Sequence, residues 1–171
     1  MRSSPRQTAS LPRLIAAVLL VASLLGAGGA RAADKALAVP RFVTLRADEV
    51  NLRTGPGERY PIEWVYTRKG LPVEVVAEYD VWRKIRDSQG TEGWVHQRMI
   101  TGNRSVIVSG GTQTLMSDPD PKSSVVARAE PGVIAKLLEC QGPWCRVEAQ
   151  DVRGWLKRSE LWGVYPDEDV R

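Results

Sequence analysis

The sequence repeats itself once, and this repeat limits the folds that are open to it. The two copies align at an offset of 61 to 63 residues, with single-residue gaps in the segments between motifs. They meet near Thr101-Gly102-Asn103. Two copies of this length indicate tandem domains rather than a solenoid. The residues that match are Gly70 with Gly132, Trp82 with Trp144, Ile85 with Val147, and Gly93-Trp94-Val95 with Gly154-Trp155-Leu156.

Within each copy the apolar pattern is typical of short strands. Val50 to Arg53 alternates apolar and polar residues, which is the period of a half-buried strand. Pro56, between two glycines, then requires a turn, because it fixes φ and lacks an N–H. The segment from Gly55 to Lys69 is predicted to be a long irregular loop. Further strands are predicted at Phe42–Ala47, Leu71–Tyr79, Trp82–Asp87 and Glu92–Val95, before a 3₁₀ turn at His96–Met99.

The order of these motifs resembles the bacterial SH3-like (SH3b) family. The opening Asn51-Leu52-Arg53-Thr54-Gly55-Pro56 and the ending Gly93-Trp94-Val95 together carry the resemblance. It implies an all-β fold of two tandem SH3-like small β-barrels, at residues 42–102 and 103–165. It also implies a non-catalytic binding module whose ligand is peptidoglycan, or a cell-envelope protein that acts on it. A short tether at 33–41 and a frayed acidic tail at 166–171 are predicted to flank the barrels.

Residues 1–32 have the pattern of a secretory signal peptide. Arginines precede the apolar run from Leu14 to Leu25, and small residues ending in Ala30-Arg31-Ala32 follow it. We expect cleavage after Ala32 and an exported protein, periplasmic or extracellular, with no stable membrane anchor. An uncleaved membrane anchor is the alternative, but a run of twelve residues is too short to span a bilayer comfortably.

The net charge of the chain gives no support for a nucleic-acid partner. The chain has 24 Lys and Arg residues against 20 Asp and Glu. Four of the arginines lie in residues 1–32, which hold no acidic residue, so the two signs balance in the mature protein. The electrostatic footprint of a nucleic-acid or anionic-membrane protein is therefore missing from the sequence that follows the leader.

The two cysteines, Cys140 and Cys145, flank a short turn at Gly142-Pro143. The repeat places them on opposite strands of one hairpin, close enough to form a disulfide. An exported protein allows that oxidation. A zinc site is the alternative, but with His96 as the single histidine of the chain it lacks a fourth ligand. A redox dithiol is a further alternative, although the spacing is not Cys-x-x-Cys.

The sequence predicts no catalytic residue, metal site or cofactor. His96 follows Gly-Trp-Val without a nucleophile motif nearby, which favours a solvated or capping histidine over a general base. The carboxylates of Asp48 and Glu49 lie at a turn with no sign of a pocket, so they do not indicate a glycosidase. Gly55-Pro56-Gly57 is too short for a phosphate-binding loop.

Tryptophan is the compositional outlier, with six residues against one Phe. Strand parity places Trp82 and Trp94 on the face opposite Ile85 and Val95, and predicts that both point outward. One interpretation is an aromatic platform for a peptide or a sugar ring. The other is that these rings cover the open end of a small barrel.

The candidate ligand-binding residues lie in the first copy. Arg53 offers a fork of donors suited to a carboxylate, or else pairs with an acid such as Glu49. The second copy has Met116 and Asp118-Pro119-Asp120 in place of the opening motif, and residues 123–128 carry no ring. We therefore expect ligand in the first domain and a structural role for the second. A scaffolding protein without a glycan ligand is the alternative, and a cell-wall enzyme is the weakest. The predicted binding set is Arg53, Tyr60, Trp64, Tyr66, Trp82 and Trp94.

Overall fold

The computed structural model describes residues 37–171. The predicted signal peptide, its cleavage site and the first residues of the tether lie outside this range. Among the described residues, no helix is long and apolar enough to cross a membrane. Two seven-stranded sheets account for the ordered structure of this region.

Residues 41–101 form the first sheet, which we call domain 1. Its strands are β1 (Arg41–Leu45), β2 (Val50–Arg53), β3 (Ile62–Tyr66), β4 (Pro72–Tyr79), β5 (Trp82–Arg86), β6 (Glu92–His96) and β7 (Ile100–Thr101), with a 3₁₀ turn at Gln97–Met99. Their order in the sheet is β3-β2-β6-β5-β4-β1-β7. Alternating residues of these strands fill the barrel interior. The core residues are Val43, Leu45, Val50, Leu52, Tyr66, Val73, Val75, Ile85 and Val95.

Domain 2 repeats the same plan. Its strands are β8 (Ser105–Val108), β9 (Gln113–Met116), β10 (Val125–Ala129), β11 (Ile134–Gln141), β12 (Trp144–Ala149), β13 (Val152–Lys157) and β14 (Leu161–Trp162), with a 3₁₀ turn at Arg158–Glu160. The sheet order, β10-β9-β13-β12-β11-β8-β14, matches domain 1 strand for strand. The predicted all-β fold of two tandem SH3-like barrels is confirmed.

The predicted loop from Gly55 to Lys69 is wrong in its second half. Residues 62–66 form β3, which pairs antiparallel with β2 and contains a bulge opposite Leu52 and Arg53. Ile62, Trp64 and Tyr66 favour an extended backbone, and pairing along one side of β2 is enough to order them. Residues 54–61 and 67–69 remain outside the strands.

The interface between the domains buries β1 on both of its faces. Val43 and Leu45 belong to the core of domain 1, whereas the Phe42 ring lies against domain 2, 5.0 Å from the ring of Trp162 and 4.6 Å from that of Tyr165. The buried hydroxyls of Thr44 and Ser105 are 2.7 Å apart. Aromatic contacts and a satisfied polar pair therefore join the two domains.

Glu74 is a buried carboxylate whose partners come from both domains. It accepts a hydrogen bond from Nε of Arg86 at 3.0 Å and from the hydroxyl of Tyr165 at 2.7 Å. Burial and then the hydrogen bond to Glu74 raise the pKa of Tyr165. A buried charge with charge-assisted partners on two sides stabilises one relative arrangement of the domains.

The predicted disulfide is confirmed: Cys140 and Cys145 are bonded across the β11–β12 hairpin. The predicted frayed tail is wrong. Val170 is buried in the core of domain 2, its carbonyl accepts from the Cys140 N–H at 2.9 Å, and Glu168 pairs with Arg104. The acidic residues of the tail suggested a solvated end, but one apolar side chain and one internal ion pair are enough to dock it.

Reducing the disulfide is expected to lower the free energy of unfolding of domain 2 by about 2 kcal/mol, because so short a loop removes little entropy from the unfolded chain. Urea unfolding with and without reductant measures this difference. Alkylation of freshly purified protein without reductant, followed by intact-mass measurement, supplies the control. Two alkylated cysteines in that sample would contradict the disulfide.

Candidate functional site

Arg53 holds the loop that follows β2. Its Nη1 donates to the carbonyls of Glu58 at 3.0 Å and Tyr60 at 2.8 Å. The predicted alternative, an ion pair with Glu49, is wrong, since Arg53 forms no ion pair within residues 37–171. The Tyr60 ring packs directly against Gly55, where a Cβ would overlap it. Arg53 and Tyr60 therefore shape this loop together.

Tyr66 belongs to the core of domain 1 rather than to a groove beside Arg53. It is 6% exposed, and its hydroxyl donates to Oδ2 of Asp87 at 3.0 Å. Oδ1 of Asp87 accepts from the backbone N–H groups of Gln89 and Thr91, each at 2.9 Å. Because β3 turns this ring inward over the barrel, Tyr66 lies away from Arg53 and presents little surface to a ligand.

Burial, and then the negative charge of Asp87, raise the pKa of Tyr66 well above its ordinary value. In the unfolded chain this phenol ionises near pH 10. Above that pH the unfolded state loses a proton that the folded state retains, so stability is lost as pH rises. We expect Tyr66 to contribute a fall of up to about 1.4 kcal/mol per pH unit above pH 10, and none below pH 9.

In the variant Tyr66→Phe, the free energy of unfolding is expected to fall less steeply with pH above pH 10. At pH 7 it is expected to be lower than in wild type by about 1 kcal/mol, because the hydrogen bond to Asp87 is lost. Urea unfolding across pH 7 to 11.5 measures both effects. Tyr79→Phe is the matched control, since Tyr79 is 62% exposed. If Tyr66→Phe loses stability above pH 10 as steeply as wild type, Tyr66 is not the source of that loss.

The prediction that the tryptophans point outward is correct for the face of the strand but wrong for their exposure to solvent. Trp82, Trp144 and Trp155 are all buried, and Trp94 is half-buried. Parity correctly assigns these rings to the face opposite the barrel core, but other groups cover that face. The His96 ring lies edge-on to Trp82 with centroids 5.5 Å apart. Whether these rings bind a ligand or cover the open end of the barrel stays a prediction.

The six predicted residues do not form one site. Arg53 and Trp82 line a cavity on one side of domain 1. Trp64 and Tyr66 line a separate cleft that reaches Ile107 of domain 2. Trp64 is 57% exposed, whereas the other five tryptophans, all within residues 37–171, are buried or half-buried. Ligand binding by each of the six residues stays a prediction.

The cavity beside Arg53 has a volume of about 260 Å³ and carries charges of both signs. Nδ1 of His96 accepts from the Arg98 N–H at 3.1 Å and caps the 3₁₀ turn, as expected for a capping histidine. In the neutral ring the proton therefore lies on Nε2, which remains a donor. The walls offer two carboxylates, two guanidinium groups and one imidazole around an indole. They consist of Glu49, Asn51, Arg53, Glu58, Trp82, His96, Arg98 and Met99.

The corresponding position in domain 2 is closed. Met116 pairs with Trp155 as Arg53 pairs with Trp94. Met116 packs with Trp144 and Trp155 in a buried cluster, and Nζ of Lys157 lies 5.9 Å from the centroid of the Trp144 ring. A flexible thioether fills the space that polar side chains line in domain 1. The two domains thus share a scaffold but not the cavity.

Sequence reasoning missed most of the cavity wall. Glu49, Glu58 and Arg98 come from three turns, and no short motif joins them. The available signal was the difference between the copies at Arg53 and Met116. Within residues 37–171, no cluster of three or more His, Cys, Asp or Glu side chains is arranged to hold a metal ion.

Comparison with protein families identifies both copies. The model of the family described as bacterial SH3 domain matches residues 46–102 and again residues 109–163. The chain belongs to the bacterial SH3 domain family. The resemblance carried by the Asn-Leu-Arg-x-Gly-Pro and Gly-Trp-Val motifs is confirmed, and the second copy belongs to the family despite its altered opening.

Among known proteins, the chain is 29% identical over 123 residues to the putative N-acetylmuramoyl-L-alanine amidase YrvJ of Bacillus subtilis. The match covers 66% of this chain but 24% of that protein, so the chain spans about a quarter of the relative's length.

Solved structures with some likeness include NlpC2 from Trichomonas vaginalis, at 10% identity and a TM-score of 0.35. This match covers 78% of the chain and 51% of NlpC2. An NlpC/P60 family protein from Bacillus cereus has 16% identity and a TM-score of 0.33, over 76% of this chain and 58% of that one. At these TM-scores the likeness carries no argument about function.

Proposed function

We propose that this protein is an exported, non-catalytic binding module that recognises peptidoglycan, or a cell-envelope protein that acts on it, through the Arg53 cavity of domain 1. The observation that carries the proposal is the open, mixed-charge cavity in domain 1 beside its packed counterpart in domain 2. Family membership and a relative named as a putative N-acetylmuramoyl-L-alanine amidase support the ligand class. The disulfide supports export, since such bonds persist in oxidising compartments.

The lining of the cavity favours a ligand with both a cationic and an anionic group. Glu49 and Glu58 offer acceptors, and Arg98 offers donors that its own 3₁₀ turn does not use. Peptide stems and charged side chains combine such groups, whereas a bare sugar ring usually stacks on an exposed aromatic face. Trp82 is buried beneath the cavity and presents no such face.

Binding to purified peptidoglycan sacculi tests the proposal. The variants Arg98→Ala and Glu49→Ala are expected to reduce the bound fraction, because they remove exposed charges from the cavity without disturbing the core. Lys157→Ala, which removes a cation from the matching region of domain 2, is the control and is expected to bind like wild type. Circular dichroism checks the folding of each variant. If wild-type protein does not sediment with sacculi but captures an envelope protein through the same residues, the partner is that protein.

A further inference from the structure

Each domain ends its sheet on a strand with one unpaired side. Among residues 37–171, the edge strand β3 pairs only with β2, and the edge strand β10 pairs only with β9. Both expose apolar side chains: Ile62 and Trp64 on β3, Val125 and Val126 on β10. An unpaired, apolar edge strand can pair with a strand from another molecule, and monomeric proteins usually protect such an edge.

Beside β10, domain 2 has a cavity with no aromatic ring in its walls. Domain 1 has a cleft of about 290 Å³ at the equivalent position, with Trp64, Tyr66 and Asp87 in its walls, and the repeat replaces these three residues with Ala127, Ala129 and Ala149. The resulting cavity has a volume of about 310 Å³. A dry cavity of about 150 Å³ already holds a benzene ring, so this one has room for a larger aromatic side chain. Its walls consist of the apolar residues Leu115, Ala127, Ala129, Val133, Ala149 and Val152, together with Arg128, Glu130 and Gln150.

We propose that this cavity accepts Trp64 from a second copy of the chain, with β3 of one molecule adding antiparallel to β10 of the next. An antiparallel register that places Trp64 opposite Ala127 also sets Glu63 opposite Arg128. Neither charge forms an ion pair within residues 37–171. The partner is therefore a second copy. The β3 edge carries Trp64 and Glu63, and the β10 edge of the same chain carries the cavity and Arg128.

In the same register Val65 lies opposite Val126, and both are exposed in the single chain. The contact would cover apolar surface on both strands and pair their free backbone groups. Because the two surfaces differ, the association is head-to-tail and continues beyond a dimer unless it closes into a ring.

Sedimentation velocity of residues 33–171 at increasing concentration tests the proposal. Wild type is expected to show an average mass that rises past that of a dimer. Trp64→Ser is expected to remain monomeric. Tyr79→Ser removes an equally exposed ring elsewhere in domain 1 and is expected to associate like wild type. Glu63→Arg should weaken association several-fold, and combining it with Arg128→Glu should restore it.

A mixing experiment separates this arrangement from a symmetric dimer. Trp64→Ser keeps the cavity and loses the ring, whereas Ala129→Tyr with Ala149→Asp keeps the ring of Trp64 and puts larger side chains, the pair found in domain 1, into the walls of the cavity that would accept it. Each variant alone is expected to be monomeric, and their mixture should form one-to-one dimers and nothing larger. Folded wild type that stays monomeric to about 1 mM, or that stops at a symmetric dimer, overturns the proposal.

Discussion

Gly93→Ala is expected to lower the free energy of unfolding by about 3 kcal/mol, the upper part of the range for overpacked cores. A Cβ at this position would lie 2.5 Å from Cγ of Leu52 and 3.0 Å from the carbonyl oxygen of Arg53. Leu52 is fully buried, so it has no free space into which to move. The glycine of Gly-Trp-Val is therefore required by the close approach of β6 to β2, and not by its backbone angles.

Urea unfolding measures this loss, with Gly102→Ala as the matched control. No atom lies within 4 Å of a Cβ at Gly102, and its change is expected within about 0.5 kcal/mol. Gly154→Ala should reproduce the effect in domain 2, where the Cβ would meet Leu115 at 2.9 Å. Equal stability of Gly93→Ala and Gly102→Ala would show that the strands separate at low cost.

The architecture could be predicted from the sequence, because the motifs that determine it are local and occur in both copies. Alternation at Val50–Arg53, the turn at Pro56 and the cysteines across one hairpin each require only near neighbours. The repeat then tested each assignment a second time. The same logic found the capping role of His96, which depends on the 3₁₀ turn directly after it.

The site is harder to predict from the sequence, because the burial of a side chain depends on which residues pack over it. Parity placed Trp82 on the outer face of β5, but it could not show that the His96 ring would pack against it. The sequence predicts a loop at Tyr66, because Gly55, Pro56 and Gly57 precede it and favour irregular structure. The buried Asp87 that pairs with it lies 21 residues away, beyond the reach of local pattern.

Interdomain contacts could not be predicted for the same reason. Phe42 and Thr44 alternate with core residues and read as the solvent face of an ordinary strand. They are buried by Trp162, Tyr165 and Ser105, which come from the far end of the second repeat or its beginning.

Arg53→Met is expected to abolish binding at the cavity, with at least about a tenfold loss of affinity, while domain 1 remains folded. Domain 2 shows that this scaffold accepts methionine at the position, packed between Trp144 and Trp155. In domain 1 the thioether would lie beside Trp82 and Trp94, close the cavity, and release the carbonyls of Glu58 and Tyr60.

The measurement is the affinity of the full mature chain for sacculi, or for a captured envelope protein, with circular dichroism to confirm folding. Met116→Leu is the matched control, because it changes the equivalent residue of domain 2 without opening that position. It is expected to bind like wild type. If folded Arg53→Met also binds like wild type, the cavity is not the binding site, and the exposed surface around Trp64 becomes the remaining candidate in domain 1. Arg53 thus combines a structural and a functional role in the first repeat, since the same side chain shapes the loop and keeps the cavity open.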